Sequence, residues 1–182
     1  MDTRTDRYVA FLRGMNLGRR RITNEDLRAH IRALGFSNVS AFLASGNVVF
    51  DSGDKDSEAV ALAVETGLSA ALDYQVPTFV RRGAEVRAVA NYAAFPDRDM
   101  ADSKVHVALL KAKPSASSRQ TVLDLSTADD SLVLDGRELY WRRRGNFLDS
   151  ALDLDAIERL VGPMTVRTHR TIERLAAKFL GQ

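Results

Sequence analysis

Apolar and polar residues along this chain switch between a two-residue and a 3.6-residue period, and the switches delimit its elements. Residues 7–13, RYVAFLR, are nearly unbroken in apolar character, which predicts a central strand covered on both faces. The stretch GMNLGRRR, with two glycines, ends it. Thr23 is placed to cap a helix whose apolar stripe is Leu27, Ile31 and Leu34, at i, i+4 and i+7, with Gly35 as its stop signal. Strands follow over 38–44 and 47–51, joined at the tight-turn pair Ser45-Gly46. A long helix then presents Val60, Val64, Leu68, Ala71 and Leu72 on one face, and VPTFVRR at 76–82 reads as a fourth strand.

The order β-α-β-β-α-β is the split pattern of the ferredoxin-like fold. A helix over 84–94 leads into FPDRDMADS, where Pro96 and four charges predict a boundary, so that 1–95 forms a first half with its linking helix and 96–182 a second. The second half repeats the order: KVHVALLK at 104–111, a helix opened by Pro114 and the serines after it, and a hairpin turning at Asp135-Gly136. A short helix capped at Asp153 or Asp155 follows. A strand at 164–167 leads to a last helix, capped at Thr168, with Ile172, Leu175, Ala176, Phe179 and Leu180 at helical spacing. The expected architecture is α+β: two tandem ferredoxin-like (βαββαβ) halves, the second ending in an extra C-terminal helix, as in an internal duplication. A single mixed sheet is the alternative.

Composition narrows the classes of function. The 182 residues are 45% apolar and 27% charged, the balance of a folded globular chain. The absence of cysteine excludes disulfides, thiolate metal sites and thiol nucleophiles, and fits a cytoplasmic protein. The opening MDTRTDRYVA carries charges where a signal peptide needs an apolar stretch, and no segment approaches the roughly 20 apolar residues of a membrane span. Lys and Arg outnumber Asp and Glu by 12 to 11 in residues 1–95 and by 14 to 13 in 96–182. Bulk charge therefore argues only weakly for a nucleic-acid partner.

Several segments in combination, FLRGMN (11–16), LGF (34–36), SGNVVF (45–50), ELYW (138–141) and TVRTHRTIERLA (165–176), resemble the bacterial family known as domain of unknown function 1697. The resemblance spans nearly the whole chain. It implies a small soluble α+β protein and points to no reaction. It carries the family pattern onto Arg13-Gly14, Asn16, Ser45-Gly46-Asn47, Gly145, Thr165, Arg167 and Thr171. This chain departs from that pattern at Arg19, Ala44 and Thr168, where members tend to have glycine, glutamine and asparagine. At Ala44 and Thr168 the chain therefore lacks the side-chain amides of that pattern.

Topology singles out one rim. In the split pattern the first strand lies antiparallel beside the third, so Arg13 and Gly14 should meet Asn47. Backbone N–H groups at Gly14, Gly18 and Gly46, the amides of Asn16 and Asn47, the Ser45 hydroxyl and the cationic Arg13 and Arg19 would suit a phosphate or carboxylate, with help from Arg167. The competing reading is that Gly and Asn here serve plain turns. Two functions follow if the rim is a site. One is a binding module for a phosphorylated or other anionic ligand, nucleic acid included. The alternative is a small hydrolase or transferase acting on a phosphorylated metabolite, with Arg13 as electrophilic clamp and Asn47 positioning water or substrate.

No catalytic residue is assigned, because neither general base nor nucleophile is recognisable at the rim. Neither a Walker motif nor a dinucleotide fingerprint is present, no metal-ligand spacing occurs, and no cofactor is expected. Ser52 and Lys55 spell S-x-x-K off the helix start that its mechanism needs. Tyr140 and Trp141 before Arg142-Arg143-Arg144 could stack on a base, against the simpler reading of a solvated basic strand. His30 and His106 read as structural, and His169 as a first-turn surface residue beside two arginines. A homodimer is allowed, not predicted: it would arise if the uncovered sheet faces met a second chain.

Overall fold

The computed structural model describes residues 5–16, 20–44, 46–54, 56–96 and 102–181. Two four-stranded antiparallel sheets carry the fold. In the first, β1 (Asp6–Leu12), β2 (Ser37–Phe42), β3 (Asn47–Ser52) and β4 (Thr78–Arg82) lie in the order β2-β3-β1-β4, with α1 (Asn24–Ala33) and α2 (Ser57–Leu72) as crossovers. Helix α3 (Gly83–Asn91) follows β4 directly. In the second, β5 (Ser103–Leu110), β6 (Asp130–Asp135), β7 (Glu138–Arg144) and β8 (Met164–Thr168) lie in the order β6-β7-β5-β8, with α4 (Ala116–Leu123) and α5 (Leu154–Val161) as crossovers. Helix α6 (His169–Phe179) follows β8. Both halves are therefore ferredoxin-like, the second with the expected terminal helix, and a single mixed sheet is ruled out.

By compactness the chain groups into one unit of residues 1–88 with 175–182, and another of 89–174. In the first unit, Tyr8, Ala10 and Leu12 point at a core completed by Leu27 and Ile31 of α1 and by Val60, Val64 and Leu68 of α2. The intervening Val9 and Phe11 are equally buried, as are Val49 and Phe79 opposite them. That is why RYVAFLR lacks alternation: successive residues of β1 are buried on both faces of this sheet. Phe179, which counts with this unit, meets Phe42 edge-on at 5.8 Å on the second face. In the second unit, Ala108, Leu110, Leu132, Leu139, Trp141, Ile157 and Met164 form the corresponding core.

The caps follow the sequence chemistry. The Thr23 side chain accepts from the Asp26 N–H, the Asp153 side chain from those of Asp155 and Ala156, and the Thr168 hydroxyl from that of Thr171. Ser115, the first of the serines after Pro114, caps α4 by accepting the Ser118 N–H. Strand β2 ends at Phe42, two residues early, because Leu43 turns the chain with φ 58°. Leu34 is half-exposed instead of buried in the α1 stripe, lying across Gly67 of α2, where a methyl group would sit 2.3 Å from its Cδ2.

Candidate functional site

The end of β1 is held between the β2–β3 turn and the start of β4. Phe11 pairs with Asn47, the Leu12 N–H donates to Gly46 O at 2.7 Å, and the Arg13 N–H donates to Pro77 O at 2.9 Å. Gly14, Asn16 and Gly46 have φ of 76°, 56° and 75°, a region that glycine and asparagine enter at least cost. Gly46 is also a close approach: a Cβ there would lie 2.8 Å from Met15 Cγ and 3.0 Å from Leu12 Cβ. The expected juxtaposition of the first loop with the hairpin is thus present.

The side-chain amides of this rim are turned to scaffolding. Asn16 donates from Nδ2 to Ala44 O at 2.9 Å and accepts the Ile22 N–H on Oδ1 at 2.9 Å, clamping the loop to the hairpin turn. Arg21 closes it further, donating to Asn16 O at 2.8 Å. Asn47 is fully buried and donates to Phe42 O at 2.9 Å. The N–H groups of Gly14 and Met15, by contrast, make no hydrogen bond among the described residues. Nothing lies within 4 Å of where a Gly14 Cβ would be. Gly18, Arg19 and Ser45 fall outside the described residues. The rim therefore unites Arg13, Gly14, Asn16, Gly46 and Asn47.

Arg167 belongs to the second unit. It is buried on β8, donating from Nη1 to Thr165 Oγ1 and to Val166 O, both at 2.9 Å. Burial lowers its pKa to about 10, which leaves it cationic at neutral pH. Arg81 of β4 holds the corresponding place in the first unit: it pairs with Val9 as Arg167 pairs with Val107, and donates to Val80 O at 3.0 Å.

The basic strands are only partly a solvated face, with Arg82 and Arg144 exposed. Arg81, Arg142 and Arg143 are buried, and Tyr140 and Trp141 with them, so the arginine-aromatic run offers no stacking platform to a base. Arg142 donates to Ser131 Oγ at 2.6 Å. Asp130, 1% exposed, organises the remainder: Trp141 Nε1 and Ser150 Oγ donate to its Oδ1 at 2.7 and 3.0 Å, and Arg143 Nη1 donates to its Oδ2 at 3.0 Å. Burial, reinforced by Glu138, pushes the Tyr140 hydroxyl far up, so it stays neutral.

The histidines divide. His106 is buried beside the Trp141 ring, and burial, then Lys104, lowers its pKa. His169 is tied down rather than free at the surface: Nε2 lies 2.9 Å from Val89 O and Nδ1 3.5 Å from the Glu173 carboxylate. The i, i+4 spacing of His169 and Glu173 is the sequence signal for that pairing. A cleft of about 480 Å³ opens here, lined by Ser103, Lys104, Val105, Thr168, His169, Arg170 and Glu173. A shallower hollow at Arg7, Arg32, Asn38, Val39 and Ser40 is occupied by structural pairing, with Arg7 on Asp51 at 2.8 Å and Asn38 Nδ2 on the same carboxylate at 2.6 Å.

Among the described residues no His, Cys, Asp and Glu cluster could hold a metal, and no helix is long and apolar enough to cross a membrane. Ser52 Oγ accepts from the Asp54 N–H, and Lys55 lies outside the described residues.

Residues 5–140 match the model of a family described as "Protein of unknown function (DUF1697)". A "conserved bacterial protein" from Streptococcus pneumoniae has a similar solved structure, with a TM-score of 0.70 at 20% identity over 96% of this chain and 98% of that one. At that identity the likeness speaks to fold alone. No curated protein matches this chain.

Proposed function

We propose that this protein, a member of the DUF1697 family of unknown function, is a binding module for a small phosphorylated or otherwise anionic ligand, held at the rim of its first half. The carrying observation is the pair of adjacent N–H groups at Gly14 and Met15, which form no hydrogen bond among the described residues, beside the cationic Arg13. Successive backbone N–H groups released by a left-handed residue form a concavity suited to an oxyanion. In this reading Gly46 and the buried Asn47 shape the rim and Asn16 fixes the loop, with Gly18 and Ser45 as further candidates by sequence. Arg167 serves its own sheet. The halves are assigned as 1–95 and 96–182, and the cysteine-free composition supports a cytoplasmic setting.

Binding is favoured over hydrolysis or group transfer because the nearby polar side chains are committed: the Thr78 hydroxyl donates to Val76 O, and Glu65 accepts the Thr78 N–H. Nucleic acid is disfavoured by the burial of Tyr140 and Trp141. Titration with inorganic phosphate and phenyl phosphate, followed by amide NMR, tests the reading. Saturable shifts at Gly14 and Met15 that disappear in Arg13→Ala are expected. Shifts that are absent, or unchanged in that variant, would refute it.

A further inference from the structure

The structure assigns a second anion-binding site, in the unit of residues 89–174: we propose that the cleft between the start of β5 and the start of α6 takes the phosphate or carboxylate group of a small metabolite. Its volume of about 480 Å³ is within the range of metabolite pockets. Two cations from separate elements line it, Lys104 of β5 and Arg170 of α6, and neither forms an ion pair among the described residues. Ser103 and Thr168 also line it, the Thr168 hydroxyl being bonded to Thr171. Glu173, the one acid of the lining, faces the imidazole of His169, whose other nitrogen is engaged by Val89 O.

The charge placement runs against helix stability. Helices α1, α2, α3 and α5 each carry an acid in the first turn, where it opposes the positive end of the backbone dipole. Helix α6, like α4, carries none there, and its first turn holds Arg170, with Lys104 across the cleft. With Glu173 turned toward His169, the two cations leave the cleft net positive, a potential compensated when an anion occupies it. His169 is fixed from both sides and forms a wall of the cleft, not a mobile surface group.

This site does not depend on the rim at Gly14, and the test separates the two. Inorganic phosphate and phenyl phosphate are titrated into the full chain at constant ionic strength, with amide NMR as readout. Expected are saturable shifts at His169, Arg170 and Thr171 with an apparent Kd of about 1 mM, weakened at least ~10-fold in Lys104→Met/Arg170→Gln and unchanged in Arg13→Ala. Shifts that stay linear in phosphate, or that survive intact in the double variant, would overturn the second site. Loss of the Gly14 response alone would leave this site standing, and the converse would leave the rim.

Discussion

Replacing Gly46 by alanine tests the geometry that brings the first loop to the hairpin. Two costs add. At φ 75° a side-chain-bearing residue is strained, by about 1–2 kcal/mol for the left-handed conformation. The new methyl would also meet Met15 Cγ at 2.8 Å, Leu12 Cβ at 3.0 Å and Met15 Cβ at 3.2 Å. Met15 Cγ can swing, but Leu12 Cβ moves only with β1, so this close contact resembles core overpacking, which costs about 1–3 kcal/mol. The total is about 2–5 kcal/mol. Gly14→Ala is the internal control: its φ of 76° brings the same strain, with nothing within 4 Å to collide, so it should lose only about 1–2 kcal/mol. Urea unfolding followed by far-ultraviolet circular dichroism measures both, since the lone tryptophan, Trp141, lies in the other unit and would miss a local loss. Equal losses in the two variants would refute the packing of Met15 and Leu12 on Gly46.

Asp130→Ala strands the buried Arg143 and the Trp141 N–H together, and should cost about 3–5 kcal/mol in denaturant unfolding read by Trp141 fluorescence. Asp130→Leu/Arg143→Met removes both charges and should lose less than the single variant; a larger loss would count against the buried pair. Because His106 is held below its ordinary value of 6.5, the unfolded chain binds the extra proton first. Stability should therefore fall as pH drops below about 6.5 toward the folded value. Comparing thermal midpoints between pH 7.5 and 5, His106→Gln should show a shallower decline, and an identical decline would remove His106 from the acid sensitivity.

What the sequence made legible is what local chemistry decides. The unbroken run around Val9 and Phe11 announced a strand covered twice, the hydroxyls of Thr23 and Thr168 announced helix starts, and the element order announced which strand ends would meet. Misread residues were those whose partners lie far off in the chain. Arg143 looks solvated beside Arg142 and Arg144, until Asp130, 13 residues back, is placed against it. Arg81 and Arg167 each stand in a strand, sunk into the sheet and donating to the carbonyl of the preceding residue, a placement that spacing alone does not show. Asn16 and Asn47 were read as either ligand donors or turn residues, and one-dimensional spacing could not choose. Their amides reach the carbonyls of Ala44 and Phe42, which leaves the backbone itself as the rim's remaining donor.

The grouping of residues 175–182 with the first 88 has a bearing on biosynthesis. Arg87 Nη1 donates to Leu180 O across 93 positions of chain, and Phe179 reaches Phe42 across a greater interval. A ribosome that has delivered the whole first sheet has not yet delivered the residues that finish its second face. That unit must wait with apolar surface uncovered until position 180 emerges, so its long-range closure comes only after the second sheet has been made.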